Sequence, residues 1–140
     1  MACTEEHLRN QREYRLKNRE YLLKQRRKYE KNRRRNDPNF RMQINMRTAM
    51  SHAIAGRKKN KPTMDIIGCS VKELFEHFES CSSWEPWMTR ENYGKNGWDT
   101  DHIIAIANWD ANCPLQFALC WDKSNLQPME HIANIKKGNK

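Results

Sequence analysis

Asp101 and His102 stand side by side in the run Trp98-Asp99-Thr100-Asp101-His102-Ile103-Ile104, and they are the residues of this chain best suited to chemistry. Hydrolysing a phosphodiester requires a base poised near neutral pH to deprotonate water, and histidine is that side chain. It requires a cation to neutralise charge on the scissile phosphate and the leaving oxygen. It also requires a group that holds the imidazole in its useful tautomer. His102 supplies the base, and Asp101 is a hard oxygen donor. Asn134 offers a second donor through its amide oxygen, and Asn125 can brace the loop that orients His102. Two oxygen donors, with water and phosphate in the remaining positions, suit one Mg²⁺ (or Mn²⁺) ion better than zinc.

These residues need elements to bring them together. Adjacent residues of a regular strand point to opposite faces, so Asp101 and His102 can serve one centre only at a strand end or a bulge. Ile103, Ile104 and Ile106 continue the pattern as a short β segment. Asn112-Cys113-Pro114 can start a small helix through Leu115, Phe117 and Leu119, with proline in its first turn. Residues 121–126 are expected to supply a return strand or turn. Pro128 is then expected to open a last helix that runs to about Lys137 and stops at Gly138. All five tryptophans follow residue 83, which places the densest core in that half.

The middle of the chain reads as helical scaffold. Phe40, Ile44, Met46, Ala49, Met50, Ala53 and Ile54 recur at helical intervals and suggest a helix ending at Gly56, followed by a basic loop over 57–61. Residues 62–68 look like a short helical turn stopped by Gly68. Ser70-x-x-Glu73 has capping-box spacing and leads into Leu74, Phe75, His77 and Phe78. His77 among those aromatics reads as a packed or surface histidine rather than a ligand.

Charge is concentrated at the other end. Residues 8–35 hold 13 of the 26 Lys and Arg against three Glu, a local net of +10 beside +9 for the whole chain. The rest is therefore close to neutral. A concentrated basic segment joined to a near-neutral domain is the pattern of a polyanion binder. Tyr14, Tyr21 and Tyr29 fall at spacings of seven and eight, and no Gly or Pro interrupts before Asp37-Pro38. One long helix with a thin apolar stripe is expected, gripping phosphates through Arg26, Arg27, Lys28, Arg33, Arg34 and Arg35 without reading bases. Its narrow face is a poor membrane anchor.

Composition excludes other classes. At 140 residues there is room for one modest core, and no apolar run approaches membrane-spanning length. The first residues lack the basic-then-apolar layout of a secretory signal, so an intracellular location is expected. Five cysteines without a C-x-x-C pair argue for free thiols in a reducing compartment and against a zinc knuckle.

The set Trp-x-x-Asp-His-Ile-Ile, then Asn-Leu-Gln-Pro-Met, then Asn-x-x-Lys-Gly-x-Lys is more specific than any one of its parts. This stretch resembles the HNH (ββα-metal) endonucleases, especially the small phage- and large-virus-type members without zinc-binding cysteines. The resemblance is strongest over 91–140. It implies that His102 is the general base, Asp101 the metal-binding acid before it, Asn125 the middle residue of the motif and Asn134 the third, metal-binding position. It implies phosphate-facing roles for Lys137 and Lys140. Glu130 and Ala133 stand where zinc-containing relatives carry cysteines, so no structural zinc is expected. Many relatives read Trp-His-x-Asp-His, and Asp99 replaces the first of those histidines here.

The expected architecture is α+β: mostly helical, with a basic helical arm over 1–37, a helical scaffold over 38–90 and a C-terminal ββα-metal (HNH) nuclease core over 91–140. The expected activity is metal-dependent hydrolysis of DNA, duplex rather than single-stranded. The alternative is a nucleic-acid-binding protein on the same scaffold with weak or no turnover, which Asp99 keeps open.

Overall fold

The chain divides into two units, Met1–Asn36 and Asp37–Lys140. The structure is a computed structural model and describes residues 4–54 and 59–138.

The first unit holds α1 (Glu5–Lys17) and α2 (Arg19–Asn36). Thr4 caps α1 by accepting a hydrogen bond from the His7 backbone N–H. The single helix expected here is interrupted at Asn18, whose amide donates to the Tyr14 carbonyl at 2.9 Å alongside its own backbone N–H. Asparagine competes in this way for helical carbonyls, which is why it marks the joint. Neither helix buries a residue, and Tyr14, Tyr21 and Tyr29 are all exposed.

The second unit opens at Asp37, which caps α3 (Pro38–Ala53) by accepting from the Phe40 N–H at 3.1 Å. Such a cap contributes about 1 kcal/mol, and Pro38 takes the first position, where no donor is needed. Arg41, Met42, Met46 and Met50 form the buried face of α3. The expected stop at Gly56 and the start of the basic loop lie outside the described residues. Gly68, in the left-handed region at φ 84°, ends α4 (Thr63–Ile67). The Ser70–Glu73 capping box starts α5 (Val71–Ser80), with both reciprocal hydrogen bonds present.

β1 (Trp98–His102) pairs antiparallel with β2 (Leu126–Glu130), in a register that sets Trp98 opposite Glu130 and His102 opposite Leu126. Between them lie a 3-10 turn at Ile106–Asn108, α6 (Pro114–Trp121) and a second 3-10 turn at Lys123–Asn125. α7 (His131–Lys137) follows β2 directly and packs on both strands. The protein is thus mostly helical, with a C-terminal two-stranded antiparallel hairpin packed against a helix.

Two boundaries differ from expectation. β1 ends at His102 and does not run on through the isoleucines; Ile103 and Ile104 bend away, 50% and 48% exposed. Asn125 captures the backbone there and closes the ladder. Pro128 does not open the last helix but sits buried inside β2, opposite Thr100. A two-stranded sheet leaves each strand a free edge, where proline forfeits no ladder bond. The helix opens one turn later, at His131, capped by Glu130 accepting from the Ile132 and Ala133 N–H groups.

The core is shared rather than confined to the tryptophan-rich half. Met42, Met46 and Met50 of α3 and Leu74, Phe75 and Phe78 of α5 pack with Trp98, Trp121 and Leu126. Trp98 meets Phe75, Phe78, Trp84 and Tyr93, edge-on or tilted, and donates its indole N–H to the Thr89 carbonyl at 2.7 Å. The segments 38–90 and 91–140 therefore form one unit, because neither can cover its apolar face alone. Among the described residues, no helix is long and apolar enough to cross a membrane.

A tight turn aims β1. The guanidinium of Arg41 is buried and donates to the carbonyls of Tyr93, at 2.6 Å, and Glu91, at 2.9 Å. Gly94 and Asn96 take positive φ angles, and Gly97 lets the chain pass against itself. A Cβ on Gly97 would lie 2.5 Å from the Asn92 backbone oxygen, so the turn must shift to accept one. The Gly97 carbonyl also accepts from the His131 N–H at 3.0 Å, tying the turn to the start of α7. Gly97→Ala is expected to lower stability by about 1–3 kcal/mol in denaturant unfolding. An unchanged midpoint would show that the turn is not constrained.

Candidate active site

Alternation along β1 sends Trp98, Thr100 and His102 to one face and Asp99 and Asp101 to the other. His102 is the last residue of the strand, and this lets it share a centre with its neighbour. Asp101, His102 and Asn134 line one pocket of about 160 Å³, together with Thr100, Ala105, Ile106 and Gly138. Residues more than thirty positions apart line the same pocket because α7 packs on both strands.

Asp101 is 6% exposed and heavily engaged. Its Oδ2 accepts from the Gln127 amide at 2.8 Å and from the Lys137 ammonium at 2.6 Å. Lys137 also donates to the His102 carbonyl at 2.8 Å. Lys137, to which the family resemblance gives a phosphate-facing role, points inward in the free protein. The last turn of α7 brings the side chain over a buried carboxylate, and the ammonium turns inward onto Asp101. Lys140 lies outside the described residues.

The His102 ring stands edge-on to Trp121, centroids 4.5 Å apart. Its Nε2 is buried with no hydrogen-bond partner. Burial is the main reason that its pKa falls from 6.5 to about 4; Asp101 pulls it upward and Lys137 pushes it down. The ring is therefore neutral at pH 7. With the folded value below the unfolded one, the unfolded chain takes up the proton first, so stability falls as pH drops from about 6.5 toward about 4. In chelator, the wild type is expected to lose more Tm across that window than His102→Gln does. Parallel Tm curves would show that the ring is not held neutral by burial.

Asn125 does not enter the pocket, and its work is positional. Its amide donates to the carbonyls of Cys120, at 2.9 Å, and Ile104, at 3.1 Å, while its Oδ1 accepts from the Ile104 N–H at 2.9 Å. Its own carbonyl accepts from the Ile103 N–H at 2.8 Å. The loop after His102 is thus pinned to the end of α6. His77 is a packed residue. Its Nε2 lies 2.9 Å from the Leu126 carbonyl and its ring stands against Phe78, which steadies the start of β2.

Two partners of the acidic strand face are not visible in local sequence patterns. Gln127 becomes a neighbour of Asp101 only through the strand register. Asp99 pairs with His131, Nδ1 to Oδ2 at 2.6 Å, across the seam between β1 and α7. The Asp99 carboxylate thus faces an imidazole from the helix and does not line the pocket.

The pocket-lining residues with side-chain oxygens are Thr100, Asp101 and Asn134, of which Asp101 alone carries a carboxylate. Among the described residues, no group of three His, Cys, Asp or Glu side chains is placed to hold a metal ion. A cation here would complete its shell with water and a phosphate, which is how Mg²⁺ is ordinarily held. The donor chemistry fits that ion; the Lys137 ammonium on Asp101 competes with it.

No family model matches the chain, and no solved structure matches it. The chain is 32% identical over 98 residues to an uncharacterized protein of Acanthamoeba polyphaga mimivirus. The match covers 70% of this chain and 42% of that protein, so the chain spans less than half the length of the relative.

Proposed function

We propose that this chain is a metal-dependent endonuclease of the HNH (ββα-metal) type that hydrolyses phosphodiester bonds of duplex DNA. The observation that carries this reading is that Asp101, His102 and Asn134 line one pocket where a two-stranded hairpin packs against a helix. Three of the residues that the resemblance singles out line this pocket although the chain separates them widely, while Asn125 stays outside it.

His102 is the general base. With Nε2 sealed against protein and unpartnered, Nδ1 is the nitrogen that can meet water and take its proton. A phosphate anion in the pocket would raise the low basicity that burial imposes, and a divalent cation on Asp101 would lower it. Asp101 and Asn134 would hold one Mg²⁺ or Mn²⁺ ion, which would supply positive charge to the scissile phosphate. Asn125 keeps the His102 loop in place, and Gln127 orients the Asp101 carboxylate. The basic helices of the first unit hold the DNA backbone, with Arg26, Arg27, Lys28, Arg33, Arg34 and Arg35 all on exposed surface.

One observation favours a second reading, a DNA-binding protein without turnover: the acid that should take the metal is already paired with Lys137. Incubating supercoiled plasmid with the protein and Mg²⁺, with and without chelator, separates the two. Nicking that chelator abolishes supports the nuclease. No nicking under any divalent metal, with DNA still bound, establishes the second reading.

A further inference from the structure

Among the described residues, Asp101 is the only carboxylate that lines the pocket, and one ammonium lies on it. Lys137 reaches Asp101 Oδ2 at 2.6 Å and the His102 carbonyl at 2.8 Å, with its side chain 21% exposed. Gln127 donates to the same oxygen at 2.8 Å. A divalent ion bound to Asp101 and Asn134 would stand within a few ångströms of that ammonium, and like charges at such range in a partly buried site repel strongly. The lysine has another destination. Its stem leaves the last turn of α7, beside Gly138 at the pocket rim, so an incoming phosphate can draw the ammonium off without moving the helix. Its departure also leaves the strand end intact, because Asn125 holds residues 103 and 104 independently.

We infer that Lys137 is an exchangeable counter-cation of Asp101, which keeps divalent metal weakly bound in the free protein and hands the carboxylate over when a DNA phosphodiester captures the ammonium. This rests on the metal-dependent nuclease reading above. It makes metal and DNA binding mutually reinforcing, since by linkage each ligand must raise the affinity for the other by the same factor. The charge on the lysine, and not its stem, sets the effect.

The test is Mn²⁺ binding to the full chain, followed by electron paramagnetic resonance, with and without a short duplex oligonucleotide. Lys137→Gln is expected to bind Mn²⁺ about tenfold more tightly than wild type without DNA, and Lys137→Arg to stay close to wild type. Duplex DNA is expected to tighten Mn²⁺ binding to the wild type by about tenfold and to change Lys137→Gln little. A Lys137→Gln protein of unchanged Tm whose Mn²⁺ affinity is equal to or below that of wild type overturns the inference. If Lys137→Gln does not fold, the wild type decides: Mn²⁺ affinity indifferent to DNA overturns it equally. Failure of the underlying reading looks different. Asp101→Asn would then bind Mn²⁺ as well as wild type, placing the ion elsewhere, or the plasmid would never be nicked.

Discussion

Replacing His102 with alanine is expected to slow Mg²⁺-dependent plasmid nicking by about 10²–10⁴-fold, the usual contribution of a positioned general base. DNA affinity should stay within about twofold, because the imidazole is neutral at pH 7 and adds no charge to the phosphate grip. The variant should fold. His102 packs edge-on against Trp121, so truncation leaves a cavity, but removing a buried unpartnered Nε2 also removes a desolvation cost. Mn²⁺ binding should persist, since Asp101 and Asn134 are untouched. A His102→Ala protein that nicks as fast as wild type, under metal that chelator can withdraw, would falsify the assignment of the base and move attention to another group in the pocket.

Removing residues 1–36 is expected to have the larger effect on binding. This unit buries no residue of α1 or α2, so the second unit keeps its whole core when it is deleted. It carries a net charge of +10 over residues 8–35, against a near-neutral remainder. Each phosphate that is no longer neutralised takes about 0.9 from the slope of log affinity against log salt. If the six basic residues named in α2 each hold a phosphate, the slope should flatten by about 5, and affinity at low salt should fall by several orders of magnitude. Fluorescence anisotropy with a labelled duplex at a series of salt concentrations measures both quantities. Unchanged affinity and slope after truncation would assign the DNA grip to the second unit and leave the basic helices without that role.

These two results are independent. Loss of nicking with binding intact locates the chemistry, and loss of binding with a residual metal-dependent rate on small phosphodiesters locates the grip. The Lys137 experiment joins them, because it asks whether phosphate and metal reach the pocket as coupled events.

Local chemistry is readable residue by residue. The cap at Ser70, the stops at Gly68 and Gly138 and the proline-started α6 each follow from a residue that acts within a few positions of itself. The break at Asn18 escapes such a reading although its cause is equally local, since charge and helix propensity run through it without change. Pro128 misleads because proline has the same fixed φ in a first helical turn and on a strand edge, and only the pairing partner decides between them.

The residue types of the candidate site and the uneven charge of the chain are legible without any fold, because they depend on composition and short spacing alone. Which of those residues meet is a matter of how the chain packs. The strand register put Gln127 on Asp101, the placement of α7 put Lys137 on that same carboxylate and His131 on Asp99, and burial beside Trp121 lowered the basicity of His102. Each of these is a contact across 26 or more positions or a loss of water, and neither is encoded in any local pattern. An ion pair and a desolvated ring exist only once the intervening chain has folded back.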